Sequence, residues 1–314
     1  MKINIHLLRL STAVITGGML LLSSCKKDDD TQPAPTNTIT DVVVNNASYS
    51  VLKEAVVKAN LSATLSGTGP FTVFAPDNTA FASAGITSST VASLSATQLS
   101  DLLLYHTIGS KILAAGVPAG PNAKVITAGG DSVFVTKNAS GVFVNGIAVA
   151  QADIAADNGV IHRLSKALNK PSGNIVQTAV AATGGDNGLD SLVVAVTTAG
   201  LGSTLTNNTL TVFAPTNKAF RDLLAALSLP NIKSIPLSTL TAVLGYHVVA
   251  GRKFSSDLTA GSQAMFSGGN TTISLSAGAT IKGNGNGTNA SNITATNIMC
   301  RNGVVHIIDR VLLP

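Results

Sequence analysis

Thr72-Val73-Phe74-Ala75-Pro76 recurs 139 residues later as Thr211-Val212-Phe213-Ala214-Pro215. An Ala-Phe pair follows each copy at the same distance, Ala80-Phe81 and Ala219-Phe220. Each stretch is an apolar run stopped by proline, Pro76 or Pro215, which reads as a buried strand entering a turn. Asp77 or Thr216 then offers an oxygen to cap a helix. On that helix Phe81 or Phe220 can fold back over the strand.

The flanking sequence repeats as well. Before the first box, Val51, Leu52, Ala55, Val56 and Ala59 fall on one helical stripe within Tyr49–Leu61. Leu189, Leu192, Val193, Val196 and Ala199 make its counterpart. After the box, Ser95-Ala96-Thr97-Gln98 is a capping box for a helix carrying Leu99, Leu103 and His106. Leu240, Leu244 and His247 repeat that spacing. Short runs rich in Val, Phe and Ile follow in both halves and read as strands and hairpins. Each half closes with Asn-Gly and an apolar run ending in histidine: Asn158-Gly159-Val160-Ile161-His162 and Asn302-Gly303-Val304-Val305-His306. Asn-Gly signals a tight turn, and the run after it a returning strand. The offset drifts from 139 to 144, as small loop insertions in a duplicated domain would produce.

Composition bounds the function. Of 314 residues, 45% are hydrophobic and 11% charged, enough to bury two cores. No block of Lys and Arg interleaves with aromatics, so a nucleic-acid role has no support. Residues 1–24 read as a secretory leader, with Lys2 and Arg9 before an apolar stretch. Its loss takes the net charge from +5 to +3. Leu22-Ser23-Ser24-Cys25 resembles a bacterial lipobox, which makes Cys25 the expected lipidation site. Residues 25–40 then form a polar, proline-containing tether, and its Lys26–Asp30 cluster resembles a surface-export signal. The expected location is the outer membrane, lipid-anchored through Cys25 and exposed at the cell surface, with the periplasmic side as the alternative. Residues 41–170 and 174–314 are the two domains, joined by 171–173 around Pro171.

These ordered boxes resemble the fasciclin (FAS1) family: Thr-Val-Phe-Ala-Pro-Thr-Asn-x-Ala-Phe, then Tyr-His on the middle helix, then Asn-Gly-Val-Ile-His-x-Ile-Asp. Residues 211–220 and 302–309 fit closely. The first half departs at Asp77, and at Leu164-Ser165 where Ile-Asp is usual. The resemblance implies an α+β fold of two tandem FAS1 domains, each a wedge of two β-sheets with helices packed along one side. It also implies adhesion through extracellular or envelope protein or polysaccharide. As candidate partner-binding residues it points to the Tyr-His pairs, Tyr105-His106 and Tyr246-His247, and to Asp153-Ile154, where the second copy has Asn297-Ile298. An accessory lipoprotein binding glycans or small molecules is the other reading.

Read as residues, the four matched histidines are core groups rather than ligands, because His106 and His247 share a stripe with core leucines. His162 and His306 follow apolar strand residues. No nucleophile elbow, Cys-x-x-Cys, His-Glu-x-x-His or phosphate loop occurs, so neither enzyme activity, cofactor nor metal is expected. Gly283–Gly287 reads as a flexible hairpin, Asp186–Asp190 as a turn feeding a helix, and Cys300 as a buried free thiol.

Overall fold

The computed structural model describes residues 37–276 and 278–314. The leader, Cys25 and the tether through residue 36 lie outside the described residues. The first repeat opens with helices α1 (Ile39–Asn45), α2 (Ser50–Lys58) and α3 (Ser62–Ser66). Strand β1 (Phe71–Pro76) follows, then α4 (Asn78–Ser83), α5 (Ser88–Ser93) and α6 (Ala96–Tyr105). Strands β2 (Thr107–Ile108), β3 (Gly120–Ile126), β4 (Ser132–Asn138), β5 (Gly141–Val144), β6 (Ile147–Ala156) and β7 (Gly159–Leu164) complete it. The second repeat runs α7 (Ile175–Ala181), α8 (Asp190–Thr198), α9 (Gly202–Asn207), β8 (Leu210–Pro215), α10 (Asn217–Ala226) and α11 (Leu237–Gly245). It ends with β9 (Val248–Ala250), β10 (Gly261–Ala264), β11 (Asn270–Ser274), β12 (Thr280–Lys282), β13 (Ser291–Cys300) and β14 (Gly303–Ile308).

Each repeat builds a seven-stranded array of the same order, β2-β1-β7-β6-β5-β4-β3 and β9-β8-β14-β13-β12-β11-β10. The opening and closing boxes are neighbours in it. β1 pairs in parallel with β7, placing Phe74 opposite His162, and β8 with β14, placing Phe213 opposite His306. The paired rings stack, with centroids 5.8 and 5.4 Å apart. Side chains alternate across a strand, so the box serves two cores at once. Val73 and Ala75 pack with Phe81 and the leucines of α2 and α6, while Phe74 faces a second cluster with Tyr105, Val135 and Val144. Val212 and Ala214 divide from Phe213 in the same way. The ten-residue strands β6 and β13 belong to both parts of their arrays, and two bulges bend each of them there.

Local chemistry sets the helix starts. Asp77 accepts from the Ala80 N–H at 2.8 Å and Thr216 from Ala219 at 3.2 Å. Ser95 and Gln98 form the expected capping box. Two further boxes, Thr38 with Asp41 and Asn174 with Gln177, start α1 and α7. Residues 38–40, expected in the tether, therefore belong to the fold, and Ile39 is fully buried.

The Asn-Gly pairs sit at tight turns with a returning strand after them, as expected, but the two residues have further roles. The turns between the last two strands are Asp157–Asn158 and Arg301–Asn302, and each glycine is the first strand residue. Gly159 is required by close approach, because a Cβ there would lie 2.2 Å from the Phe71 carbonyl oxygen. At Gly303 it would lie 2.0 Å from that of Leu210. The asparagines are staples. Asn158 accepts from the Ile39 N–H and donates to Leu65 and Gly67 carbonyls, tying α1 to the end of α3. Asn302 does the same for α7 and α9. Residues 283–287 are also more than a hairpin. Asn284–Asn286 is a 3₁₀ turn whose Asn286 side chain bonds Val311 and Leu313, pinning the C-terminal segment. Asp190 does open α8, accepting from Gly184 N–H and Asn217 Nδ2. Those two bonds, Asn217's first, hold its carboxyl below the usual carboxylate range.

Candidate binding surface

The Tyr-His pairs present nothing to a partner. Tyr105, His106, Tyr246 and His247 are all buried. His106 donates from Nδ1 to the Leu102 carbonyl at 2.8 Å and accepts at Nε2 from the Leu168 N–H at 2.9 Å. His247 repeats this with Val243 and Leu312. Each imidazole thus locks the end of its helix to the segment after the last strand as one neutral tautomer. Burial drives both histidines down to about 4. Tyr105 donates to the Ser132 carbonyl and accepts from Asn145, and burial pushes its phenol up to about 12. Tyr246 donates to the Asn270 carbonyl. The expectation of direct partner contact by these four residues is corrected: their polar atoms are committed inside the core.

His162 and His306 are equally internal. His162 donates from Nε2 to the Ile112 carbonyl and accepts at Nδ1 from the Asp153 N–H. His306 donates to the Lys253 carbonyl, but its Nδ1 is buried without a partner. Cys300 is a buried free thiol against Thr178, and burial raises its pKa. Among the described residues, no group of three or more His, Cys, Asp or Glu could hold a metal ion.

Asp153 and Asn297 occupy matched bulges in β6 and β13, with φ of 59° and 62°. Asn and Asp tolerate this left-handed geometry better than other residues with a side chain. Each caps a 3₁₀ turn: Asp153 accepts from the Ala114 N–H at 2.9 Å, and Asn297 from Ser255 at 2.7 Å. Their surroundings then diverge. Asp153 is exposed and Ile154 half-buried. Asn297 lies against the first repeat and donates to the Gly146 carbonyl.

That contact belongs to a docked interface between the repeats. Asn122 donates to the Arg252 carbonyl, Thr136 to the Asp257 carboxylate, and Asn138 to the Ser256 carbonyl, at 2.7–2.9 Å. Phe134 of β4 packs on Phe254, with centroids 6.2 Å apart, beside Met299 and Val304. The Arg252 guanidinium lies 4.5 Å over the Phe134 ring. Sequence reasoning missed all of these residues. A signal was present: Leu113 corresponds to Phe254 and Asp153 to Asn297, and such drift marks where the copies differ in surroundings.

The Fasciclin domain profile matches residues 47–170 and 187–314, twice over and across most of the chain. The chain belongs to the fasciclin domain family. Each fasciclin domain here is one seven-stranded array with its helices. Protein sll1483 of Synechocystis is 40% identical over 136 residues, which is 43% of this chain and 74% of that protein. Transforming growth factor-beta-induced protein ig-h3 of Sus scrofa is 36% identical over 138 residues, 44% of this chain and 20% of its own length. A solved FAS1 domain pair from the insect cell adhesion molecule fasciclin I aligns with 88% of this chain and 96% of its own, at 18% identity and a TM-score of 0.41.

Proposed function

We propose that this chain is a non-catalytic adhesion module, anchored by acyl chains on Cys25 in the outer membrane and exposed at the cell surface. There it contacts protein or polysaccharide of a neighbouring cell or matrix. One observation carries the reading. The loop end of the first fasciclin domain, with Asp153 exposed and Leu113 45% exposed, stands open, while the matched end of the second is covered by its neighbour. A surface that buries a partner in one copy is a suitable partner surface in the other. The lipobox and tether supply the anchoring, since acyl chains add ~0.8 kcal/mol of membrane affinity per buried CH₂.

Deletion of the gene should reduce cell aggregation, biofilm formation or matrix binding, and re-expression should restore them. Leu113→Glu with Asp153→Ala should fail to restore them while leaving the protein folded. Unchanged behaviour in all three assays would defeat the proposal. Anchoring is tested separately: an alkynyl fatty acid should label the natural protein and not the Cys25→Ala variant.

A further inference from the structure

A cleft of about 550 Å³ runs along the seam between the two fasciclin domains. Its wall is shared. Asn122, Lys124 and Phe134 come from the first domain, and Arg252, Met299 and Arg301 from the second. The charges are unbalanced. Lys124, Arg252 and Arg301 are cations, and the carboxylate there, Asp131, is already neutralised by Lys170 at 2.9 Å. None of the three cations has a carboxylate partner among the described residues. Arg252 is the least content of them. Its Nη2 donates to the Arg301 carbonyl at 2.5 Å and its plane rests on Phe134, but Nη1 is buried without a partner. Burial also lowers its pKa, the mark of a guanidinium removed from water without a counter-ion. Beside it Asn122 donates from Nδ2, yet its Oδ1 is also buried and unpaired.

Just beneath one wall therefore lie an unmet cationic donor and an unmet acceptor, next to Phe134 and Met299. Unpaired buried polar groups are costly, and a charged one most of all. A ligand that satisfies both must carry an anion and a hydroxyl donor on a compact body with an apolar face. We propose that the inter-domain cleft binds an acidic saccharide, its carboxylate or sulfate held by Arg252 with Lys124 and Arg301 at the rim, and a sugar hydroxyl given to Asn122. The volume suits one or two sugar rings. Engagement requires Arg252 and Asn122 to turn toward the cleft, because their two unmet atoms are buried. The site exists only while the domains stay docked. It is a second site, separate from the open loop end of the first domain, and rests on the adhesion reading for its biological setting.

Calorimetric titration of the full chain in detergent tests it, with tetragalacturonate, a heparin tetrasaccharide and neutral maltotetraose as probes. One or both acidic probes should bind, weakening as salt rises, and maltotetraose should not. Binding by tetragalacturonate assigns the carboxylate, and by heparin alone the sulfate. Arg252→Gln should weaken binding about tenfold or more, the usual loss for a charge-assisted bond. Because Arg252 also supports the seam, Lys124→Gln with Arg301→Gln is the second variant. Both of those residues are exposed, and the pair should weaken binding several-fold with the melting temperature unchanged. Silence from both acidic probes, equal binding of maltotetraose, or affinity unmoved in both variants would overturn the proposal. A failure here with aggregation still lost on gene deletion would sink the saccharide site and spare the adhesion module.

Discussion

Lys111–Val117 and Arg252–Leu258 are the same segment in the two repeats, 141 residues apart. Each carries a short 3₁₀ turn capped by the left-handed residue of a bulged strand. Each gives a carbonyl to a core histidine. Yet Leu113 is 45% exposed and its counterpart Phe254 is fully buried. Asp257, where the first copy has Gly116, caps its own turn and accepts from Thr136 across the seam. The backbone of this segment is alike in both copies, while its outward residues differ, and those of the second copy dock on the sheet of the first. The difference separates two kinds of repeated residue. In this segment the shared backbone bonds hold the fold, and the outward residues that differ report on the surface.

The largest effect should come where the copies agree. Phe74→Ala and Phe213→Ala each remove a buried ring stacked on histidine, and each should cost about 3–5 kcal/mol by denaturant titration. A loss near zero in one copy alone would break the equivalence of the two boxes.

Acid should act on both copies next. His106 and His247 are neutral in the fold with pKa values of about 4, against an ordinary value of 6.5. The unfolded chain therefore binds more protons as pH falls through that interval. Stability is full above about pH 6.5 and declines toward pH 4, by roughly 3 kcal/mol per histidine. Equilibrium unfolding across that window should show the decline, and His106→Gln with His247→Gln should shrink it, leaving the share of His306, whose pKa burial also lowers. A flat profile in the natural chain would contradict the buried, neutral assignment.

The smallest effects should come where the copies differ. Asn297→Ala loses a turn cap and a bond across the seam, and should cost about 1–3 kcal/mol. Asp153→Ala loses the cap but no bond across the seam, shares the left-handed backbone penalty, and should cost about 1 kcal/mol less than Asn297→Ala. Equal costs would mean the seam adds nothing at Asn297.

The fold was readable in the sequence because its signals are local. Proline after an apolar run, Ser95 with Gln98, and leucines at helical spacing each act within a few residues, and the duplication let one copy check the other. The staple role of Asn158 was not readable, because its partners Ile39 and Leu65 lie 119 and 93 residues away. The Tyr-His pairs divide. Leucine spacing alone placed His106 and His247 in the core, and only the family resemblance offered them to a partner. What could not be read was where their polar atoms go, because Leu168 and Ser132 lie far along the chain. The seam depends on which faces two folded units bring together, so Arg252 and Phe134 carry no local pattern that marks them.

Two matching copies are docked through a segment that is bare in one and buried in the other. A double-mutant cycle between Phe134→Ala and Phe254→Ala, read by denaturant unfolding, probes that docking. The expected coupling is about 0.5–1.5 kcal/mol, the range for aromatic pairs in contact. Strictly additive losses would contradict it, because the two rings could then not be packed on one another across the seam.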